Sequence, residues 1–152
     1  MRVKTLVEKE EVVKLSELEA SLFGEKAWSL ELLKKEIENP YSKVYVLEDE
    51  FFGVVGYIIV RVFLDEAEIL RLGVKKERQG LGFGRVLLSY VLDELKKEGI
   101  KKCFLEVAED NMRAQKLYEA FGFSRIGKRK GYFTPEKSAY VMCKILEGVE
   151  LC

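Results

Sequence analysis

The chain contains no histidine. That absence removes the Ser-His-Asp arrangement, the commonest metal ligand and the usual general base at neutral pH. Any chemistry must therefore run on carboxylates, tyrosine, main-chain amides or a bound cofactor. Cysteine is scarce too: Cys103, Cys143 and Cys152 are an odd number, with no two close in sequence. Neither a disulfide framework nor a zinc site is expected, and no metal is foreseen; a reducing cytoplasm is the expected compartment. Cys103 and Cys143 fall in apolar strand-like runs and read as packing residues, since no histidine is present to activate a thiol. No apolar run reaches the roughly 20 residues that span a bilayer. The N-terminal stretch MRVKTLVEKEEVVKL turns acidic too early for a signal peptide.

An excess of either charge is also missing, because 26 Lys/Arg balance 26 Asp/Glu. Residues 1–76 hold 12 basic and 15 acidic side chains, and residues 77–152 hold 14 and 11. That bias is too weak for direct nucleic-acid binding, but it suits a small anionic ligand in the second half. A length of 152 residues with 48% hydrophobic content predicts one domain, residues 1–152, with a real core.

What the chain does have is a glycine loop. Residues 79–84 read Gln-Gly-Leu-Gly-Phe-Gly, between an apolar strand (Ile69 to Val74) and an amphipathic helix (Arg85 to Lys97). Alternate glycines ahead of a helix form a nest of N–H donors, a cradle for phosphate. The spacing fits neither common alternative. A Walker loop would continue Gly-Lys-Ser/Thr, and the dinucleotide fingerprint would place its last glycine at 85, which is Arg. A tight turn with spare glycines is the bland alternative.

Around the loop the pattern predicts a short strand at Thr5 to Val7 and an amphipathic helix over 10–23, with Val12, Leu15, Leu18 and Leu22 on one face. The helix acids Glu8, Glu10, Glu11, Glu17 and Glu19 read as a solvated face. Ser29 caps a second helix, Leu30 to Glu38, stopped at Asn39-Pro40. Strands follow at Val44 to Leu47, Val54 to Phe63 and Ile69 to Val74, turning near Glu48 to Phe52 and at Asp65-Glu66. After the glycine-loop helix come a strand (Cys103 to Ala108) and a helix capped by Asp110 or Asn111 and stopped by Gly122. The last strands are Phe123 to Ile126 and Ala139 to Ile145, flanking an exposed loop KRKGYFTPEK. Joining neighbouring strands through a loop and helix favours parallel pairing. The fold class is mixed α/β, mainly antiparallel, with one βαβ crossover carrying the glycine loop.

Gln79-x-x-Gly82-x-Gly84 resembles the Gln/Arg-x-x-Gly-x-Gly/Ala signature of the GNAT superfamily of N-acetyltransferases, which bind acetyl-CoA. The segments LEVAEDN (105–111) and AQKLYEAFGF (114–123) look like that family's second half. With KAWSLELLKKEI (26–37), DEAEILRLGV (65–74) and RKGYF (129–133), the chain is similar to the RimI branch, which acetylates the N-terminal alanine of a small-subunit ribosomal protein. The resemblance implies the GNAT fold, acetyl-CoA as co-substrate and a protein N-terminus as acceptor. It also implies site residues. Leu72, Gly73 and Val74 would pair with the pantetheine arm. Gln79, Gly80, Leu81, Gly82, Phe83, Gly84 and Arg85 would hold the pyrophosphate, and Asn111 would hydrogen-bond the cofactor. Glu106 would be the base and Tyr118 the acid. Arg71, where relatives often carry a small or amide residue, and the missing proline in Val74-Lys75-Lys76 are departures that bear on the acceptor.

The residues add their own reading. Glu106 interrupts the apolar run Cys-Phe-Leu-Glu-Val-Ala, where a carboxylate is seldom buried unless paired or functional. Partial desolvation there would tune it toward a general base; a glutamate facing water is the alternative. Tyr118 lies on the apolar face of its helix, so pattern alone gives a core tyrosine. Arg125 to Lys130 admits three readings: a solvated strand end, a contact to the cofactor's 3′-phosphate, or a contact to an acidic partner. Tyr132, beside Phe133, would line the peptide entry, as the resemblance to the RimI branch implies. A small-molecule amine acetyltransferase and a non-catalytic acyl-CoA-binding module remain competing functions on this sequence.

Overall fold

The computed structural model describes residues 2–5, 9–134 and 137–147, without the side chains of residues 9, 10 and 131–134. The strands are β1 (Arg2–Thr5), β2 (Ser42–Asp49), β3 (Gly53–Phe63), β4 (Glu66–Val74), β5 (Lys102–Ala108), β6 (Ser124–Thr134) and β7 (Lys137–Ile145). The α-helices are α1 (Lys9–Phe23), α2 (Leu30–Glu38), α3 (Phe83–Lys97) and α4 (Met112–Ala120), with short 3-10 turns at Gly24–Lys26 and Lys76–Arg78. The strand order is β1-β2-β3-β4-β5-β7-β6. Pairs β1–β2, β2–β3, β5–β7 and β6–β7 are antiparallel, and β4–β5 is parallel. This is the mixed, mainly antiparallel sheet expected, with the parallel pair joined through the glycine loop and α3.

Two compact units divide the chain: Met1–Arg61 with Arg71–Val91, and Val62–Leu70 with Leu92–Cys152. In the first, Val12, Leu15 and Leu18 of α1 are buried, as are Val44 to Leu47 of β2. Residues 55–60 of β3 are buried on both faces, so its sequence reads as a continuous apolar run without alternation. The hydroxyl of Ser29 caps α2 by accepting from Leu32 N at 3.2 Å. Glu36 is buried on α2, where Arg61 binds it through Nε at 3.0 Å and Nη2 at 2.5 Å and the Ser42 hydroxyl donates to it.

In the second unit β5 alternates strictly, with Cys103, Leu105 and Val107 buried. Asn111, rather than Asp110, caps α4, its side chain accepting from Ala114 N at 3.1 Å. The helix ends in a left-handed Gly122 (φ +91°), and Phe123 N returns to Tyr118 O at 3.0 Å.

Several expectations need correction. The turn before β4 lies one residue earlier than read, with Leu64 left-handed at φ +57° and Glu66 already in the strand. The stretch KRKGYFTPEK is not a loop throughout. Strand β6 continues to Thr134 and β7 starts at Lys137, with Arg129 opposite Ala139. An edge strand tolerates such charge because one side is open, and the cations find acidic partners described below. The first strand is Arg2–Thr5; residues 6 and 7 of the expected Thr5 to Val7 segment lie outside the described residues. Cys103 is a buried free thiol as expected, whereas Cys143 is disulfide-bonded, against the expectation of unpaired cysteines.

Candidate active site

The first unit holds the glycine loop. Gly80 and Gly82 adopt φ +81° and +88°, conformations that L side chains resist. Alternating backbone conformations of this kind turn successive N–H groups to one side. A Cβ on Gly82 would meet no atom within 4 Å, so space for a ligand remains beside the loop. Helix α3 begins at Phe83, and Val86 N bonds back to Gly82 O at 3.1 Å. Its first turn therefore offers amides that no preceding helical turn can take up. Gln79 shapes this cradle, its Nε2 donating to Val74 O at 2.9 Å and tying the loop to the end of β4.

Leu72, Gly73 and Val74 form that strand end. Gly73 is buried, and a Cβ there would lie 2.7 Å from Tyr57 Cε1 and 2.9 Å from Leu22 Cδ1. Its glycine is dictated by close packing rather than by backbone angle.

Beside it lies a network that the sequence reading missed. Glu19 does not share the solvated face expected for the acids of α1: it is fully buried. It accepts from the Tyr57 hydroxyl, from Arg71 Nε at 2.9 Å and Nη2 at 2.5 Å, and from Trp28 N at 2.7 Å. Burial alone would raise its pKa, but Arg71, Tyr57 and the Trp28 amide together hold it below the usual carboxylate value. Burial and the Glu19 charge push the Tyr57 phenol upward. A signal was present: Glu19 stands four residues after Leu15 and three before Leu22, on the apolar stripe itself.

The second unit holds Glu106, Asn111 and Tyr118. Strand alternation puts Glu106 on the half-buried face with Phe104 and Ala108. Its side chain is 21% exposed and pairs with Arg129, Nη1 to Oε1 at 2.5 Å. Glu106 is thus a partly buried, ion-paired carboxylate rather than one facing water alone. Tyr118 is buried and packs edge-on against Phe123 with ring centroids 5.7 Å apart. Burial, with Cys103 nearby, raises its phenol above the ordinary tyrosine value, so it stays protonated at neutral pH. Burial likewise pushes the Cys103 thiol up to about 12, which makes it inert as a nucleophile. Among the described residues, no hydrogen bond joins Glu106 to Tyr118. They share a framework instead: buried Gln115 of α4 donates through Nε2 to Ala108 O at 2.9 Å and Glu109 O at 3.0 Å.

The basic segment 125–130 is engaged inside its own unit. Arg125 donates to Gln115 Oε1 at 2.7 Å and lies over the Tyr140 ring at 4.1 Å; Lys128 pairs with Glu109 at 3.1 Å, and Arg129 with Glu106. The Tyr132 backbone belongs to β6, and its side chain lies outside the described residues.

The sequence profile of the acetyltransferase (GNAT) family matches residues 10–123. The chain belongs to the GNAT acetyltransferase family. It is an N-acetyltransferase that uses acetyl-CoA, and the left-handed glycines, open space and helix start described above fit the diphosphate of that co-substrate. Among GNAT proteins, the [ribosomal protein bS18]-alanine N-acetyltransferase of Haemophilus influenzae is 34% identical over 106 residues, 70% of each chain. The solved structure of the ribosomal-protein alanine N-acetyltransferase from Escherichia coli superposes with a TM-score of 0.88 at 26% identity, over 98% of this chain and 96% of that one. An aminoglycoside 6′-N-acetyltransferase complexed with coenzyme A shares the fold at TM-score 0.87 and 17% identity, over 99% of this chain and 100% of that one.

Proposed function

We propose that this GNAT enzyme, as one catalytic domain in the cytoplasm, acetylates the N-terminal α-amine of a protein, the N-terminal alanine of a small-subunit ribosomal protein. The observation that carries this reading is the 34% identity, over 70% of both chains, to an enzyme described as acting on ribosomal protein bS18 alanine. Retention of both Glu106 and Tyr118 supports catalysis over mere acyl-CoA binding.

Acetyl-CoA, when bound, supplies an acetyl thioester. The amides of Gly80 to Arg85 hold its diphosphate, with Gln79, Leu81 and Phe83 shaping the loop. The Leu72 to Val74 backbone aligns the pantetheine arm, and a main-chain N–H there meets the oxygen that gains charge during attack. The Asn111 side-chain oxygen caps α4, so its amide nitrogen is the group available for the cofactor.

The acceptor amine must lose a proton to attack. An α-amine of pKa about 7.7–8.0 is roughly 10–20% neutral at pH 7, whereas a lysine near 10.4 is about 0.04% neutral. A carboxylate base therefore suits an α-amine better than a lysine side chain. Glu106 takes the amine proton, and Tyr118, kept protonated by burial, donates to the departing sulfur.

The test presents acetyl-CoA with peptides differing only in the first residue, beside a panel of polyamines. Acetylation of alanine-initiated peptides in preference to polyamines is the expected result. The opposite ranking would overturn the acceptor assignment while leaving the family intact.

A further inference from the structure

We infer that Arg71 is a specificity-determining residue that reads a main-chain carbonyl of the acceptor peptide through its Nη1 donors; this rests on the peptide-acetylating function proposed above. The guanidinium is unusually well fixed. Nε and Nη2 bind the two oxygens of fully buried Glu19, and Nη2 also donates to Lys26 O at 3.0 Å. The group lies over the Phe23 ring at 3.6 Å, with the Trp28 ring at 5.7 Å. None of the bonds to Glu19 and Lys26 uses Nη1, the Tyr57 phenol lies beside the same guanidinium, and the Arg71 side chain is 17% exposed.

Two physical points turn this into a binding role. A buried ion pair is weak evidence for stability, because apolar residues of similar volume serve a core as well or better. A guanidinium with two of its three nitrogens locked keeps a pre-aimed pair of donors at little further entropic cost on binding. Position then selects the ligand. Arg71 immediately precedes Leu72 to Val74, and strand alternation places it on the same face as Gly73, the side that meets Leu22 of α1. Glu19 cancels its charge, so an incoming amine is not repelled, and a neutral acceptor such as a peptide carbonyl matches the leftover N–H pair. Glu19 is accordingly a positioning residue for Arg71.

The experiment compares steady-state kinetics of wild type, Arg71→Lys, and the double variant Glu19→Gln/Arg71→Gln, in which no buried charge is left unpaired. The acceptors are an alanine-initiated peptide and 2-aminopropane, an amine of similar shape with no carbonyl. In both variants the peptide KM should rise about tenfold, the size expected for losing a hydrogen bond from a charged donor. The acetyl-CoA KM and the kcat/KM for 2-aminopropane should each stay within about twofold. A peptide KM equal to that of wild type, or an equal fall for both acceptors, would overturn the role of Arg71. Peptide inactivity of wild type itself would overturn the proposed function first, so the two failures are distinguishable.

Discussion

Arg129 of β6 donates through Nη1 to Glu106 Oε1 at 2.5 Å, joining residues 23 positions apart. The carboxylate proposed as the base is thus oriented by a cation before any substrate arrives. Orientation of this kind fixes which oxygen faces a ligand, because one is already engaged.

Glu106→Gln tests the base. The amide oxygen still accepts from Arg129 but cannot take a proton. Turnover should fall about 100-fold or more, the usual worth of a positioned base, while acetyl-CoA affinity by calorimetry barely changes. Normal turnover would remove Glu106 from the mechanism.

Tyr118→Phe deletes one oxygen and keeps the ring that packs on Phe123. Turnover should drop about tenfold or more with little change in melting temperature. An unaltered rate alongside an intact melting transition would assign Tyr118 to packing alone.

Gly73→Ala probes the strand that aligns the cofactor. The new methyl would sit 2.7 Å from a Tyr57 ring that its bond to Glu19 holds in place. Overpacking of this kind costs about 1–3 kcal/mol, read as a lower melting temperature, and acetyl-CoA affinity should fall with it. A variant as stable and as tightly binding as wild type would show that β4 yields freely.

Stability should depend on pH at both extremes. The folded pKa of Glu19 lies below 4.5, so its contribution is complete above that pH and drains as pH falls through the folded value. The phenols of Tyr57 and Tyr118 are raised above 10.0, so their contribution is complete below about pH 10 and is lost as pH rises further. Glu19→Gln should flatten the acid limb of melting temperature against pH. At pH 7 it should cost on the order of 3 kcal/mol, because Arg71 loses its counter-charge. Superimposable acid limbs would mean that Glu19 adds no pH-linked stability.

Much of this was legible in the sequence because the decisive signals were local. Alternate glycines before an amphipathic helix announced the cradle, and Ser29, Asn111 and Gly122 marked helix ends through their own backbone chemistry. What escaped depends on contacts between distant segments. Glu19 meets Arg71 across 52 positions and Glu106 meets Arg129 across 23, so no window of helical or strand period shows either pairing. The charges of Lys128 and Arg129 hide a strand in the same way, because the acids that offset them, Glu109 and Glu106, stand in β5 and its following turn. Glu19 itself was legible in principle, since its spacing from Leu15 and Leu22 contradicted a solvated assignment.

Gln115 carries a last consequence. One primary amide grips two carbonyls at the end of β5, those of Ala108 and the following Glu109, and accepts from Arg125. Such a group neither gains nor loses a proton between acid and alkali. The rivet between the strand bearing Glu106 and the helix bearing Tyr118 is therefore indifferent to acidity, and a rate profile would record the reacting groups themselves rather than a loosening scaffold.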